Sequence, residues 1–129
     1  MKKKIYIAGC GGMLGEAFHK QFMDDYTLKC TDKDVNEQWL SFLDFRDFDA
    51  YRRDIRDFKP DYLFHLGAYT DLEFCELNAD ETYNTNTLAV ENAVYIANEL
   101  DIPVLYISTA GIFDGAKEFY DDWDQPNPL

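Results

Sequence analysis

The stretch KKKIYIAGCGGMLG, residues 2–15, decides the fold of this chain. The apolar run at residues 5–8 predicts a buried strand, and residues 16–24 predict a helix. Gly9, Gly12 and Gly15 lie between them, three residues apart. In such a turn the first glycine permits a tight bend, the second lets backbone approach a pyrophosphate, and the third lets the helix pack closely.

The start of that helix adds to the prediction, because its free N–H groups and partial positive charge attract an anion. The glycine turn therefore predicts a phosphate-binding site. The alternative interpretation is a tight strand-to-helix turn that binds nothing.

The charge of the chain limits its partners. Its 129 residues suffice for one domain, and 25 acidic against 12 basic residues give a net charge of -13. An acidic surface repels nucleic acid and anionic membrane, so we expect neither as a partner. An anionic ligand would need local donors, which the glycine turn can supply.

The cysteines and the N-terminus indicate the compartment. Cys10, Cys30 and Cys75 are odd in number and widely spaced, which argues against a disulfide framework and against a zinc site; no metal site is predicted. The apolar run after the basic N-terminus is too short for a signal peptide, and no run approaches ~18 apolar residues. We expect a soluble, cytoplasmic protein with reduced cysteines.

Residues 26–31 predict a second strand, and Asp32 lies at its C-terminal end, 17 residues beyond Gly15. Dinucleotide-binding folds place the carboxylate that holds the adenosine ribose near this position. An ordinary turn aspartate at the end of a strand is an equally good interpretation.

The rest of the chain alternates between apolar strands and amphipathic helices. A short apolar segment at 40–45 precedes a helix over 46–58, a strand at 62–66, a helix over 80–100 and a fourth strand at 104–108. This alternation predicts an α/β fold, a Rossmann-type doubly wound parallel sheet. Right-handed crossovers place the strand at 104–108 beside the first strand, in the order 3-2-1-4.

The predicted strand order places a ligand where the C-terminal ends of the first and fourth strands meet. One end carries the glycine turn, and the other carries Ser108 and Thr109. Gly67 and Ala68 follow another strand, and their small size lets backbone lie against a ligand. His65 falls inside that strand, and we interpret it as a core histidine rather than a ligand.

Four segments resemble the extended short-chain dehydrogenase/reductases, the NAD-dependent epimerase/dehydratase superfamily, and among them the dTDP-4-dehydrorhamnose reductase group. They are IAGCGGMLG, HLGAYTDLEFCE, YNTNTLAVENAVYIANELDIPVLYIST and IFDG, which follow one another along essentially the whole chain. The resemblance implies that residues 1–129 are a partial NAD(P)-binding Rossmann domain, without the last strands and the substrate subdomain. It also implies an oxidoreductase of dTDP-rhamnose biosynthesis that uses NAD or NADP to reduce the 4-keto carbon of a nucleotide sugar.

The resemblance further implies roles for single residues. Gly12, Met13 and Leu14 would line the pyrophosphate of the cofactor. Asp32 would bind the adenosine ribose and favour NAD, while Lys33 could accept a 2′-phosphate.

Other matching positions would contact the remaining parts of the cofactor or the substrate. Asp44 and Phe45 match a pair at the adenine ring, and Asn86 matches a helix asparagine that shapes the site. Thr109 matches an active-site hydroxyl that hydrogen-bonds the substrate oxygen, where hydride addition builds negative charge. The predicted cofactor-binding set is Gly9, Gly12, Met13, Leu14, Gly15, Asp32, Lys33, Asp44, Phe45, Ala68, Tyr69, Thr70 and Asn86.

Three departures keep alternatives open. The family's catalytic Tyr-x-x-x-Lys does not occur, and we expect its Tyr a few residues beyond Leu129. The segment 108–111 lacks an Asp of the rhamnose-reductase pattern, and the segment 65–70 is partly like the epimerase/dehydratase branch. The alternatives are a nucleotide-sugar epimerase or dehydratase, and a non-catalytic dinucleotide-binding module or fragment. We also expect a homo-oligomer that forms through an exposed sheet edge or helices.

Overall fold

The computed structural model describes all 129 residues and contains one parallel sheet of five strands in the order β3-β2-β1-β4-β5. The strands are β1 (Lys4–Ala8), β2 (Thr27–Asp32), β3 (Leu40–Phe42), β4 (Tyr62–His65) and β5 (Val104–Tyr106). All four strand pairs are parallel. The predicted Rossmann-type α/β fold is confirmed.

The helices lie between the strands, as the alternating pattern predicted. They are α1 (Met13–Phe22), α2 (Phe48–Phe58), α3 (Leu72–Leu77), α4 (Ala79–Tyr83) and α5 (Ala89–Leu100). A π-helical turn, Asn84–Leu88, joins α4 to α5, and a 3₁₀ turn, Ala110–Ile112, follows β5. None of these helices has both the length and the apolar character needed to cross a membrane.

The helix boundaries differ from the predicted ones for local reasons. Helix α1 begins three residues earlier than predicted, directly after Gly12. Helix α2 begins two residues later, because the Asp47 carboxylate accepts a hydrogen bond from the amide of Ala50 at 3.0 Å and caps the helix. The helix predicted over 80–100 is divided by the π-helical turn.

The sheet begins 3-2-1-4 as predicted, but its fourth strand is a different segment. β4, not the segment 104–108, pairs with β1, in a register that places Tyr62 opposite Ile5 and His65 opposite Ala8. β5 pairs with β4 and forms the edge of the sheet. The difference arises because the segment 40–45 contributes β3, which occupies the free edge of β2. The C-terminal ends that meet are therefore those of β1 and β4.

The central strand β1 is buried on both faces, and its side chains alternate between two cores. Tyr6 faces the core beneath α2 and α5, and Ile7 faces the core beneath α1; both are fully buried. Burial of such a side chain contributes about 2 kcal/mol to folding. These two cores fix the strand from which the glycine turn emerges.

Candidate functional site

The glycine turn that follows β1 is held against the end of β4. Gly9 has φ of 73°, and a Cβ there would lie 2.3 Å from the Cα of Gly67. No side chain fits between the two backbones, so the C-terminal ends of β1 and β4 are in direct contact. This contact creates the switch point at which open α/β sheets bind ligands.

The start of α1 combines a tightly packed side with an open side. A Cβ at Gly15 would lie 2.1 Å from the carbonyl oxygen of Cys10, so the first turn of the helix packs directly on the glycine turn. A Cβ at Gly12 would meet no atom within 4 Å. No side chain caps the helix at Gly12, so the amides of Met13 and Leu14 remain available to an anion.

The Asp32 carboxylate joins the end of β2 to the glycine turn. One oxygen accepts a hydrogen bond from the amide of Gly11 at 2.9 Å, and the other accepts one from the amide of Asp34 at 3.0 Å. Asp32 is therefore both a turn aspartate and a wall of the glycine turn. The interpretation as a turn aspartate is confirmed, and the binding of a ribose by this carboxylate, which lines the cleft, remains a prediction.

The segment between β3 and α2 forms the opposite wall. The Arg46 guanidinium donates two hydrogen bonds to the Asp44 carboxylate, from Nε to Oδ1 at 2.9 Å and from Nη2 to Oδ2 at 2.7 Å. This hydrogen bond holds the pKa of the Asp44 carboxyl below its usual range. The Phe45 ring covers Gly67, where a Cβ would lie 2.3 Å from the ring.

The segment after β4 is fixed by a single asparagine. Asn86 Oδ1 accepts a hydrogen bond from the amide of Tyr69 at 2.8 Å, and its Nδ2 donates to the carbonyl of Tyr69 at 2.9 Å. The π-helical turn places Asn86 in position, which is a known use of such turns near functional sites. Asn86 therefore shapes the site through the backbone of the neighbouring loop.

These segments enclose a cleft of about 380 Å³, within the size range of small-molecule sites. The predicted residues that line it are Gly9, Gly12, Met13, Leu14, Gly15, Asp32, Lys33, Asp44, Phe45, Ala68, Tyr69 and Thr70. Asn86 is not among the lining residues. Gly67, which the sequence analysis singled out with Ala68, also lines the cleft. The sequence patterns did not select the other lining residues, Leu43, Arg46, Leu66 and Thr85.

Arg46 is the most informative of the residues that were missed. The apolar spacing over 46–58 assigned it to a helix, which concealed its contact with Asp44. The available signal was its position directly after Asp44 and Phe45, where a basic side chain can reach the same wall.

Two buried polar atoms next to the cleft have no hydrogen-bond partner, His65 Nε2 and Thr85 Oγ1. His65 is 1% exposed, and its Nδ1 lies 2.9 Å from the hydroxyl of Tyr51. Burial lowers the pKa of His65 to about 4, so the ring is neutral at pH 7. His65 thus lies in the core, as interpreted from the sequence, with one ring nitrogen paired and the other unpaired.

Thr109, the predicted catalytic residue, does not line the cleft. It is exposed, and its hydroxyl accepts a hydrogen bond from the amide of Gly111 at 3.0 Å, at the start of the 3₁₀ turn. Ser108 and Thr109 follow the edge strand β5, so they do not meet the glycine turn as the predicted strand order required. The catalytic role of Thr109 remains a prediction.

A family model described as the RmlD substrate binding domain matches residues 2–129. The chain belongs to this family. Among curated RmlD-like relatives, dTDP-4-dehydrorhamnose reductase of Aggregatibacter actinomycetemcomitans is 29% identical over 98% of this chain and 42% of its own length. Methionine adenosyltransferase 2 subunit beta of Xenopus tropicalis is 28% identical over 98% of this chain and 38% of its own length.

Solved structures agree with the family assignment. A hypothetical dTDP-4-dehydrorhamnose reductase from Sulfolobus tokodaii superposes with a TM-score of 0.91 at 29% identity, over 99% of this chain and 46% of the other. The enzyme from Bacillus anthracis, in complex with NADP, superposes with a TM-score of 0.88 at 25% identity, over 99% and 44%. The chain thus spans less than half the length of these relatives.

Proposed function

We propose that this chain is the coenzyme-binding part of an NAD(P)-dependent nucleotide-sugar reductase that transfers hydride to a 4-keto sugar. The observation that carries the proposal is the cleft between β1 and β4, where an uncapped helix start, a carboxylate and a wall of small residues converge. The likeness to dTDP-4-dehydrorhamnose reductases supports the substrate class.

The residues of the cleft fit a dinucleotide. The open space at Gly12 and the free amides of Met13 and Leu14 suit a diphosphate, because backbone donors can hold it without basic side chains. Asp32 would accept hydrogen bonds from the adenosine ribose, and Phe45 would contact the adenine. The bound nicotinamide would supply the hydride.

The substrate would bind beside Thr109. Hydride addition to a carbonyl carbon leaves negative charge on its oxygen, and the Thr109 hydroxyl is a donor for that oxygen. To act in this way, the hydroxyl would have to donate to the substrate while still accepting from the amide of Gly111, which one hydroxyl group can do.

Coenzyme binding tests the proposal directly. Gly12 has φ of -87° and open space at its Cβ, so Gly12→Val should fold normally while its side chain fills the place of the diphosphate. We expect calorimetry with NADH and NADPH to show binding by the wild type and a loss of roughly tenfold or more in Gly12→Val. Ala116→Val introduces the same side chain at an exposed position and should leave the affinity unchanged. Absence of binding by the folded wild type, or unchanged binding by Gly12→Val, would contradict the proposal.

Hydride transfer is tested with the complete reading frame. Supplied with dTDP-4-dehydrorhamnose, it should oxidise NADPH, and Thr109→Val should lower kcat by about tenfold or more. An epimerase or dehydratase would instead convert a nucleotide sugar without net consumption of the reduced coenzyme. The two reaction classes are therefore separated by the coenzyme balance.

A second candidate is a non-catalytic dinucleotide-binding subunit. It is favoured by the relatives named methionine adenosyltransferase 2 subunit beta, which match this chain as fully as the reductase does. Coenzyme binding by the complete protein without oxidation of NADPH by any 4-keto nucleotide sugar would favour this candidate over the reductase.

A further inference from the structure

The 3₁₀ turn that follows Thr109 is joined by hydrogen bonds to a segment further along the chain. Within the turn, the amide of Ile112 donates to the carbonyl of Thr109 at 3.4 Å, and the amide of Gly111 donates to the Thr109 hydroxyl. The carbonyl of Ile112 accepts a hydrogen bond from the amide of Asn127 at 2.8 Å. Because Ile112 is bonded to both residues, the position of Thr109 is linked to that of Asn127.

The side chain of Asn127 makes a second contact in the same place. Its Nδ2 donates to Asp114 Oδ2 at 2.8 Å. The other oxygen of Asp114 accepts hydrogen bonds from the Ala116 amide and the Tyr120 hydroxyl. Asn127 is thus held at two points, by its backbone at Ile112 and by its side chain at Asp114, and two hydrogen bonds fix its orientation as well as its position.

The contact between Asp114 and Asn127 fixes geometry more than it stabilises the fold. Asn127 is exposed, so water competes for its hydrogen bonds. Hydrogen bonds, above all the one from the Tyr120 hydroxyl, lower the pKa of Asp114 to about 2, so the side chain is an acceptor at neutral pH and has no proton to transfer. What the contact determines is the course of the backbone around the turn next to Thr109.

We propose that Asp114 and Asn127 are positioning residues for hydride transfer, which hold the 3₁₀ turn so that the Thr109 hydroxyl is directed at the substrate oxygen. The inference rests on the proposed function, because it requires that Thr109 donate to that oxygen. A displaced donor loses most of its effect on a transition state, since this stabilisation depends on donors that are already in place. Neither positioning residue lines the coenzyme cleft, so both act on the chemical step and not on coenzyme binding.

An exchange of the two side chains tests the proposal in the complete reading frame, with dTDP-4-dehydrorhamnose and NADPH as substrates. Asn127→Asp hardly changes the volume but sets two carboxylates against each other, and like charges repel. We expect kcat to fall roughly fivefold or more, with the KM for NADPH changing by less than about twofold. When Asn127→Asp is combined with Asp114→Asn, the amide and the carboxylate have changed places and the hydrogen bond can form again. This exchange should return kcat to within about twofold of the wild type.

Gln125→Glu is the matched control, because it makes the same change from amide to carboxylate at an exposed position of the same segment. It should leave kcat unchanged. In a Thr109→Val background, Asn127→Asp should cause little further loss of kcat, because the hydroxyl through which it acts is absent. A residue that only stabilised the fold would not show this dependence on Thr109.

An unchanged kcat in Asn127→Asp, or failure of the exchange to restore it, would overturn the inference and leave the proposed function standing. The same loss in Gln125→Glu would overturn it as well, and so would a full further loss in the Thr109→Val background. If the folded wild type oxidises no NADPH with this substrate, the proposed function itself is removed. Thermal unfolding of each variant establishes that it is folded, and the side chains of Gln125 and Asn127 lie at the surface.

Discussion

The cleft and the segment that follows β5 are stabilised by different kinds of interaction. Every buried residue of the chain lies between Ile5 and Ala97, and the cleft is built on this core. In the segment after β5, large apolar side chains face solvent; Phe119 is 81% exposed and Trp123 is 92% exposed. The segment around the 3₁₀ turn therefore gains little from hydrophobic burial.

Polar contacts around Asp114 organise that segment instead. Its carboxylate accepts hydrogen bonds from the Tyr120 hydroxyl at 2.7 Å, the Ala116 amide at 2.9 Å and the side chain of Asn127 at 2.8 Å. Lys117 and Asp124 add an exposed ion pair, and such pairs contribute little to stability.

The difference teaches where this protein requires rigid geometry. At the cleft, direct backbone contact between the ends of β1 and β4 fixes the ligand site, and that contact does not depend on charge. In the Asp114 network, geometry depends on exposed charges and competes with water. Substitutions matched between the two regions test this contrast.

The largest expected effect comes from the two glycines with positive φ. Gly9 has φ of 73° and Gly115 has φ of 75°, but only Gly9 has backbone atoms in the place of a Cβ. We expect Gly9→Ala to lose about 4 kcal/mol of unfolding free energy, from strain and overpacking together. Gly115→Ala should lose about 1 kcal/mol, from strain alone. Urea denaturation measures both, and equal losses would show that the contact with Gly67 adds nothing.

The buried His65 makes the free energy of unfolding depend on pH. Its pKa is lowered from 6.5 to about 4 in the folded protein, so between these values the unfolded chain binds a proton that the folded chain does not. The free energy of unfolding should therefore fall by about 3 kcal/mol as the pH falls from 6.5 to 4. His65→Gln should be less stable at pH 7 but should show a flatter dependence in this window. Parallel curves for the two proteins would contradict the prediction, since the acidic residues titrate in both.

Substitution of one asparagine in each region compares the polar contacts of the cleft with those of the segment after β5. Asn86→Ala removes both hydrogen bonds to the backbone of Tyr69, and we expect a loss of about 2 kcal/mol together with weaker coenzyme binding. Asn127→Ala removes a hydrogen bond to Asp114 at the surface and should change stability by less than about 0.5 kcal/mol. Thermal and urea unfolding of the pair provide the measurement. A larger loss of unfolding free energy in Asn127→Ala than in Asn86→Ala would contradict this prediction.

The smallest expected effect is a loss of local order around Asp114 at low pH. Hydrogen bonds from Tyr120, the Ala116 amide and Asn127 lower the pKa of Asp114 from 3.8 to about 2. Because the folded pKa is depressed, the order that depends on this carboxylate is complete above pH 3.8 and is lost as the pH falls through about 2. The amide proton of Ala116, followed by NMR, should report a midpoint near this lower value. A midpoint near 3.8 would indicate that the carboxylate network does not form.

Much of the cleft could be predicted from the sequence, because its glycine turn is a local device. The spacing of Gly9, Gly12 and Gly15, the apolar strand before them and the aspartate that ends β2 are readable within about thirty residues of chain. Arg46 was not predicted as a cleft residue, because the apolar spacing over 46–58 assigned it to a helix. The role of Asn86 was predicted only from the family resemblance, because no local sequence pattern shows which loop a side chain will contact.

The sequence by itself determined the alternation of strands and helices, the glycine turn and the acidic charge, because these depend on neighbours along the chain. Only the tertiary structure decided that β4, rather than the segment that became β5, lies beside β1. Both strands are short and apolar, so periodicity cannot rank them as partners. The choice depends on which strand edge is free once β3 has paired with β2, and on the contact between Gly9 and Gly67, two residues that are distant in the chain.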